Sequence, residues 1–237
     1  MKAMLSILGT RVLPVPSVYL TGLTNLPGHR RTKVQFEELL TGSLELARHR
    51  QEKLILYIGY LGEARQAEVL LQAMTDYADL IYEVWVDPVS GDHGRTYVPP
   101  EVVEAWPALL ASAQWAFPNV TELCLFSGID DPSQSIDLQI DAFKRRFPGL
   151  SFAVTGIGEG EQVKVILTHA GEEHSFTHPR LAQNFGGTGD VFASCFILHK
   201  HFGGMAAREA MEQAALDTLA CMQKSIAAHS PDLIIEG

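Results

Sequence analysis

Short apolar runs alternate with longer segments of helical hydrophobic spacing along almost the whole chain, and this alternation constrains the fold more than any other feature. Helices between consecutive strands favour crossover connections, which place the strands in a mostly parallel central sheet with helices on both faces. The sequence therefore predicts a three-layer α/β/α architecture. Because no repeat or low-complexity linker interrupts the pattern, we expect a single domain over residues 1–237.

The individual segments follow from the spacing of their apolar residues. Pro14 and Pro16 exclude a helix from the segment Arg11–Leu20, which is predicted to be extended. A short strand is expected just before Pro118-Asn119, where a helix begins, and residues 161–178 are predicted to form a hairpin-like edge. The predicted helices are Lys33–His49, Glu63–Ala78, Pro100–Leu110, Ile136–Phe147, Asp190–Phe202 and Ala206–Ala228. The other predicted strands, some with their following turns, lie within Leu54–Gly62, Asp79–Val89 and Leu150–Gly160.

Charge and composition exclude several classes of function. The chain has 18 Lys and Arg residues against 28 Asp and Glu, a formal net charge of −10, so it repels nucleic-acid phosphates and is not expected to bind them. No apolar run approaches the roughly 18 residues of a membrane span, so no membrane association is expected. Cys124, Cys195 and Cys221 are far apart, which argues against a disulfide scaffold or a zinc site and favours a reducing cytoplasm.

A glycine-rich turn, Gly186–Asp190, leads into an apolar helical segment near the C-terminus. The backbone N–H groups of Gly187, Thr188, Gly189 and Asp190 would lie at a helix N-terminus, where free donors and the macrodipole favour an anion such as phosphate. Asp190 would then be a candidate general base that takes a proton from a substrate hydroxyl. In the alternative interpretation, Asp190 is an ordinary helix cap.

Two further polar clusters follow predicted strands. Asp87 and Asp92 flank a Pro/Gly turn, and their carboxylates would suit Mg²⁺, although such sequences are also frequent in surface turns. Asn119 and Glu122 have the spacing of an N-cap and its capping-box partner. An amide and a carboxylate at a strand end would also suit a magnesium–nucleotide pair. In open parallel sheets, ligands bind at the carboxyl ends of strands, which is where these clusters are expected.

Together the motifs resemble a known family. GYLGEARQ, WVDPVSGDHGRTYVP, FPNVTELCLFSG, FAVTG and GGTGDVFAS occur in the order found in pyridoxal kinases of the ribokinase-like superfamily. The GTGD and DPVSGD strings are the most specific parts, and the resemblance runs from Leu13 to the C-terminus. It implies a ribokinase-like fold and ATP-dependent phosphorylation of the hydroxymethyl group of a B6 vitamer, which is pyridoxal, pyridoxine or pyridoxamine.

The resemblance also implies roles for particular residues. Asp190 is implied as the catalytic base, and the backbone of Gly187, Thr188 and Gly189 as the anion hole. Asp87 and Glu122 are implied as the carboxylates that hold Mg²⁺. The residues implied on the ATP side are Asp87, Asp92, Asn119, Glu122 and Thr155.

On the vitamer side, the family's substrate loop corresponds to Leu20–Gly28, with Thr21 and Thr24, and Tyr60 is implied as a further substrate contact. Members of the superfamily often dimerise, so the resemblance implies a homodimer. A requirement for a monovalent cation is left open.

Three departures from the family pattern keep alternatives open. Met1 begins in what is predicted to be the helix after the family's first strand, so either the chain starts upstream of this sequence or the enzyme is impaired. Leu23 replaces the family's usual histidine, and Phe117 stands where a threonine commonly precedes Pro-Asn. The alternatives are a ribokinase-like kinase for another small alcohol, such as hydroxymethylpyrimidine or a sugar, and a catalytically impaired protein that binds a nucleotide or vitamer.

Overall fold

A computed structural model describes residues 1–21, 30–129, 131 and 133–235 of the chain. Helices and strands alternate through most of this part, as the sequence predicts. In chain order the elements are α1 (Lys2–Leu8), β1 (Tyr19–Leu20), β2 (Arg31–Thr32), α2 (Phe36–His49), β3 (Leu54–Ile58), α3 (Arg65–Asp76), β4 (Ile81–Val86), β5 (Gly91–Asp92), β6 (Arg95–Thr96), α4 (Pro100–Ser112), β7 (Trp115–Ala116), α5 (Val120–Ser127), α6 (Ile136–Arg146), β8 (Ser151–Glu159), β9 (Gln162–His169), β10 (Glu172–Pro179), α7 (Thr188–Ile197) and α8 (Ala207–Ala227).

Six of the strands form one sheet in the order β10-β9-β8-β7-β4-β3. β3, β4, β7 and β8 are mutually parallel, whereas β9 and β10 continue the sheet in antiparallel fashion. The mostly parallel sheet and its hairpin-like edge are therefore confirmed. Because the four parallel strands run in one direction, their carboxyl ends meet at one edge of the sheet, which we call the carboxyl edge.

β7 contains only two residues, yet its backbone pairing continues past Ala116. The N–H of Phe117 donates to the Val86 carbonyl at 3.0 Å, and the N–H of Thr155 donates to the Pro118 carbonyl at 3.1 Å. An isolated parallel bridge then joins Asn119 to Thr155. This pairing fixes the start of α5 against Thr155 in the middle of β8, where the parallel pairing of the sheet ends.

Helices cover both faces of the sheet, which confirms the three-layer architecture. One core cluster contains buried residues of α2, α3, α4, α5 and α6. The other contains buried residues of α1, α7 and α8 and is rich in aromatic rings. In this second cluster Phe196 of α7 packs against Trp85, Trp115 and Phe117, with ring centroids 5.2–5.8 Å apart. Edge-on and tilted contacts of this kind stabilise a core beyond the area that they bury, so α7 is held firmly to the sheet.

Several predicted boundaries are wrong by a few residues, and each has a local cause. The helix predicted from Asp190 begins at Thr188, because Gly187 takes a left-handed conformation and occupies the N-cap position. It leaves α-helical geometry at Leu198, where a π-helical turn runs to Phe202. The strand predicted over Asp79–Val89 is shorter, since a turn after α3 includes Leu80, whose N–H donates to the Tyr77 carbonyl.

The segment predicted to be extended over Arg11–Leu20 is only partly a strand. Gly9–Arg11 forms a 3₁₀ turn, and extended backbone begins at Val12. Only Tyr19–Leu20 pairs, with Arg31–Thr32. Among the described residues, no helix is both long enough and apolar enough to cross a lipid bilayer.

Candidate active site

Two of the predicted clusters meet at the carboxyl edge. Asp87 directly follows β4, and its N–H donates to the Ile58 carbonyl at 2.8 Å, so the parallel pairing with β3 holds its backbone in place. Its side chain is buried. A Cβ atom placed on Gly189 would lie 3.8 Å from Asp87 Oδ2, which brings the GTGD turn into contact distance of the DPVSGD turn. The sequence predicts this proximity only through the rule that strand ends share one edge.

The GTGD turn has the geometry of an anion-binding helix start. Gly187 has φ 88° and ψ 9°, and no atom lies within 4 Å of the position where its Cβ would be. No side chain in the described structure caps α7, so the N–H groups of its first turn have no side-chain acceptor. Asp190 is the third residue of this helix, and its carbonyl accepts a hydrogen bond from the Ser194 hydroxyl at 2.6 Å.

The start of α5 forms the predicted capping box. Asn119 Oδ1 accepts from the N–H of Glu122 at 3.0 Å, and Glu122 Oε2 accepts from the N–H of Asn119 at 3.0 Å. Glu122 Oε1 also accepts from the N–H of Ser90 at 2.9 Å, and Asn119 Nδ2 donates to the Gly91 carbonyl at 2.8 Å. The last two bonds join the DPVSGD turn to α5, and the first two cap the helix, so Asn119 and Glu122 stabilise this edge whatever else they bind.

Burial and mutual repulsion dominate the electrostatics of the site. The pKa of Asp87 is raised well above its ordinary value by burial and by the nearby charges of Glu122 and Asp190. Burial also raises the pKa of Glu122 to about 7, although its backbone hydrogen bonds act in the opposite direction. Removing carboxylates from water and placing them together disfavours their charged forms. The site is therefore short of positive charge.

The other predicted site residues are distributed more widely. Thr155 lies at the bridge to Asn119, at the carboxyl edge. The side chain of Asp92 is largely exposed, and its Oδ1 accepts from the N–H of His93. The carbonyl of Tyr60 accepts from the Ser17 hydroxyl at 2.6 Å.

On the predicted vitamer side, Thr21 Oγ1 accepts from the N–H of Arg30 at 2.7 Å. Thr24, Leu23 and most of the predicted substrate loop lie outside the described residues.

Two tyrosines belong to the site although the sequence analysis assigned them no role. The Tyr57 hydroxyl lies 3.3 Å from Asp87 Oδ2, and its pKa is raised well above the ordinary value by burial and by Asp87 and Asp190. The N–H of Tyr97 donates to the Ser90 carbonyl at 3.0 Å, which places Tyr97 beside the DPVSGD turn with its side chain exposed. Tyr57 was missed because a tyrosine in an apolar strand is typical of a core position. Tyr97 lies within the DPVSGDHGRTYVP motif, but the pattern of that motif predicts no chemical role for a tyrosine.

The residues present fit a phosphate accompanied by a divalent cation. The open space at Gly187 and the uncapped first turn of α7 offer backbone donors to an anion. Asp87 and Glu122 offer hard oxygen atoms, and a bound cation would offset the burial and repulsion that raise their pKa values. Among the described residues, no three His, Cys, Asp or Glu side chains are grouped closely enough to hold a metal ion. Such an ion would need ligands from phosphate or water, as is usual for Mg²⁺.

The sequence of the chain is similar to that of a curated kinase. No family model matches the chain. The pyridoxine/pyridoxal/pyridoxamine kinase of Bordetella avium is 31% identical over 179 residues, which cover 70% of this chain and 60% of that protein. The chain therefore spans less than two thirds of the length of this curated relative.

Solved structures agree on the fold. The pyridoxal kinase of Entamoeba histolytica has a TM-score of 0.80 at 20% identity, covering 92% of this chain and 80% of that one. The pyridoxal kinase of Leishmania donovani in complex with ADP and ginkgotoxin has a TM-score of 0.83 at 21% identity, covering 99% and 86%. These matches define the class of protein, an α/β protein with the ribokinase-like fold. Within that class, the sequence relationship connects the chain to pyridoxine/pyridoxal/pyridoxamine kinase, to which it is similar over the matched residues.

The raised pKa of Glu122 predicts an unusual pH dependence of stability for the protein without metal or nucleotide. The pKa is about 7 in the folded state against an ordinary 4.5, so between these values the folded state binds more protons than the unfolded state. The free energy of unfolding should therefore fall as the pH rises from 4.5 to 7, by on the order of 3 kcal/mol. The raised pKa of Asp87 also makes the free energy of unfolding fall as the pH rises.

Urea denaturation at a series of pH values measures this dependence, with Glu122→Gln as the matched variant. Glutamine keeps one acceptor oxygen for the capping box but does not titrate. At low pH the variant should therefore be less stable than the unmodified protein, and its free energy of unfolding should change less with pH. Equal slopes for the two proteins between pH 4.5 and 7 would contradict the assignment of the raised pKa to Glu122.

Proposed function

We propose that the protein transfers the γ-phosphoryl group of ATP to the hydroxymethyl group of a B6 vitamer. The observation that carries the proposal is the contact between the GTGD turn and Asp87, because it joins an anion-binding helix start to a buried carboxylate. The sequence relationship to the Bordetella avium kinase supports the choice of substrate. Structures of pyridoxal kinases from Leishmania donovani in complex with ADP support the choice of phosphoryl donor.

Phosphoryl transfer needs positioning and neutralisation of charge more than covalent chemistry. In our proposal, the N–H groups of Gly187, Thr188 and Gly189 hold the phosphoryl group as it moves between oxygen atoms. Asp190, in the same turn of helix, accepts the proton of the substrate hydroxyl. Bound Mg²⁺ would supply positive charge that shields the phosphates, with Asp87 and Glu122 as its protein ligands.

The remaining predicted residues have secondary roles in this proposal. Asp92, Asn119 and Thr155 lie on the nucleotide side, and Thr21, Thr24 and Tyr60 contact the vitamer. The proposal includes a homodimer and a cytoplasmic location, and it leaves a requirement for a monovalent cation open. The alternative acceptors are hydroxymethylpyrimidine and sugars, and an impaired binding protein remains the non-enzymatic alternative.

The test of the proposed base is substitution of Asp190 by asparagine. Asp190→Asn removes the proton acceptor but keeps the size of the side chain, so kcat should fall about 100- to 10,000-fold. The affinity for ATP should change by only a few-fold, because the base acts mainly in the transition state. The measurement is ADP release with pyridoxal, pyridoxine or pyridoxamine, ATP and Mg²⁺, together with titration of ATP by calorimetry.

Asp137→Asn is the matched control, because Asp137 is an exposed aspartate in the first turn of α6 to which the proposal gives no role. Its turnover should equal that of the unmodified protein.

No turnover of any vitamer by the unmodified protein would contradict the proposed substrate, and turnover of hydroxymethylpyrimidine or a sugar in the same assay would identify the alternative. Loss of ATP affinity in Asp190→Asn would assign Asp190 to binding of the metal or the nucleotide.

Substitution of Gly187 tests the proposed anion hole. Gly187→Ala places a methyl group in the open space at the start of α7 and strains a backbone with φ 88°. The methyl group and the strained backbone would displace the N–H of residue 187 from the transferred phosphoryl group, which should lower kcat about 100- to 1000-fold. Steady-state kinetics and urea denaturation together separate this effect from loss of stability.

Gly149→Ala is the matched control for strain. Gly149 has φ 85° and equally open surroundings, but it lies in the turn before β8, at the amino end of that strand. Both variants should lose a similar free energy of unfolding, about 1–2 kcal/mol. Only Gly187→Ala should lose activity, and equal activity losses in the two variants would contradict the anion hole.

A further inference from the structure

We propose that Tyr57 is a positioning residue that orients the Asp87 carboxylate toward the GTGD turn. The proposal rests on the proposed function, because it concerns the carboxylate that we assign to the metal and phosphate side. Neither the motifs of the sequence nor the comparisons with known proteins give Tyr57 a role. Its support comes from three features of the site: the face of β3 from which Tyr57 projects, the contact of its hydroxyl, and the surroundings of Asp87.

The first feature is the direction of the side chain. Successive residues of β3 project to opposite faces of the sheet, so Leu54 and Leu56 pack against the first core cluster. Ile55 and Tyr57 pack against the second cluster, which contains α7. The ring of Tyr57 thus lies on the face of the sheet from which the GTGD helix starts. Packing against this cluster requires only an apolar body, and it gives no reason for a hydroxyl group.

The second feature is the contact made by that hydroxyl. Tyr57 Oη lies 3.3 Å from Asp87 Oδ2, and this is the same oxygen atom that lies 3.8 Å from the Cβ position of Gly189. The phenol and the GTGD turn therefore both lie beside the same carboxylate oxygen. A bond of this length is long, and hydrogen bonds at such sites often shorten when the ligand binds.

The third feature is the set of groups around Asp87. Glu122 and Asp190 both repel its carboxylate. Within the described ranges, the Tyr57 hydroxyl is the one side-chain donor bonded to it. Because the terminal torsion of an aspartate is broad, repulsion alone would turn the carboxylate away from its neighbours. A single donor from β3 opposes that rotation and keeps Oδ2 beside Gly189.

The proposal makes the effect of Tyr57 depend on Asp87. Removing a hydrogen bond to a charged group should weaken binding of a divalent cation together with nucleotide about tenfold. We therefore expect Tyr57→Phe to raise the dissociation constant of Mn²⁺ about tenfold, measured by electron paramagnetic resonance in the presence of ADP. In kinetics, kcat/KM for ATP should fall by a similar factor, whereas KM for the vitamer should stay unchanged.

Tyr77→Phe is the matched control. The Tyr77 hydroxyl donates to the Glu45 carboxylate at 2.7 Å, so the variant also removes a tyrosine–carboxylate bond, but on the exposed surface. Its Mn²⁺ affinity and its kinetics should equal those of the unmodified protein. Circular dichroism and urea denaturation of both variants identify any loss of folding, and Tyr57→Phe keeps the ring that packs in the core.

A double-mutant cycle with Asp87→Asn distinguishes positioning from simple packing. If Tyr57 acts through Asp87, Tyr57→Phe should change Mn²⁺ affinity in the unmodified background and have almost no further effect in the Asp87→Asn background. Equal effects in both backgrounds, or no effect of Tyr57→Phe in either, would overturn the proposal.

If the affinity results hold while no alcohol is phosphorylated, the positioning role stands and the proposed reaction is wrong. If turnover is normal and Tyr57→Phe leaves affinity unchanged, the positioning role alone is wrong.

Discussion

The burial of Asp87 beside two other carboxylates is the constraint on which the site depends. Parallel pairing with β3 fixes the backbone of Asp87 at the carboxyl edge, and the side chain is buried there near Glu122 and Asp190. Burial and repulsion of this kind disfavour the charged carboxylate unless a bound ligand offsets them. Cation and phosphate binding at this edge would supply that compensation, which is why we treat the electrostatic cost as part of the function.

The surrounding structure keeps the site rigid. Two hydrogen bonds, one of Asn119 and one of Glu122, connect the turn after β4 to the start of α5, and the aromatic packing of Phe196 holds α7 against the sheet. Both helix starts therefore have fixed positions relative to the strand ends. Preorganised donors of this kind are effective because they need no rearrangement when charge develops in the transition state.

Much of this arrangement was predictable from the sequence, for physical reasons. The alternation of apolar runs with helical segments predicts the parallel sheet, and the spacing of Asn119 and Glu122 predicts the capping box, because both depend on local patterns. The contact between Asp87 and the GTGD turn could be predicted only as a shared edge. The single-domain organisation stays a prediction, as do the chemical roles of the site residues.

Other features could not be read from local patterns. Nothing in the apolar run of β3 indicates that Tyr57 reaches a carboxylate thirty positions away, because that contact depends on the register of β3 against β4. The left-handed conformation of Gly187, which moves the start of α7 two residues earlier than expected, depends on how the preceding chain approaches the helix. Both are products of tertiary packing.

The most direct measurement is a crystal structure of the protein with Mn²⁺ and a non-hydrolysable ATP analogue, with the anomalous signal of manganese used to locate the ion. Our account predicts a manganese peak beside Asp87 and the terminal phosphates of the analogue at the N–H groups of Gly187–Gly189. A manganese peak or a triphosphate bound away from the carboxyl edge would contradict it.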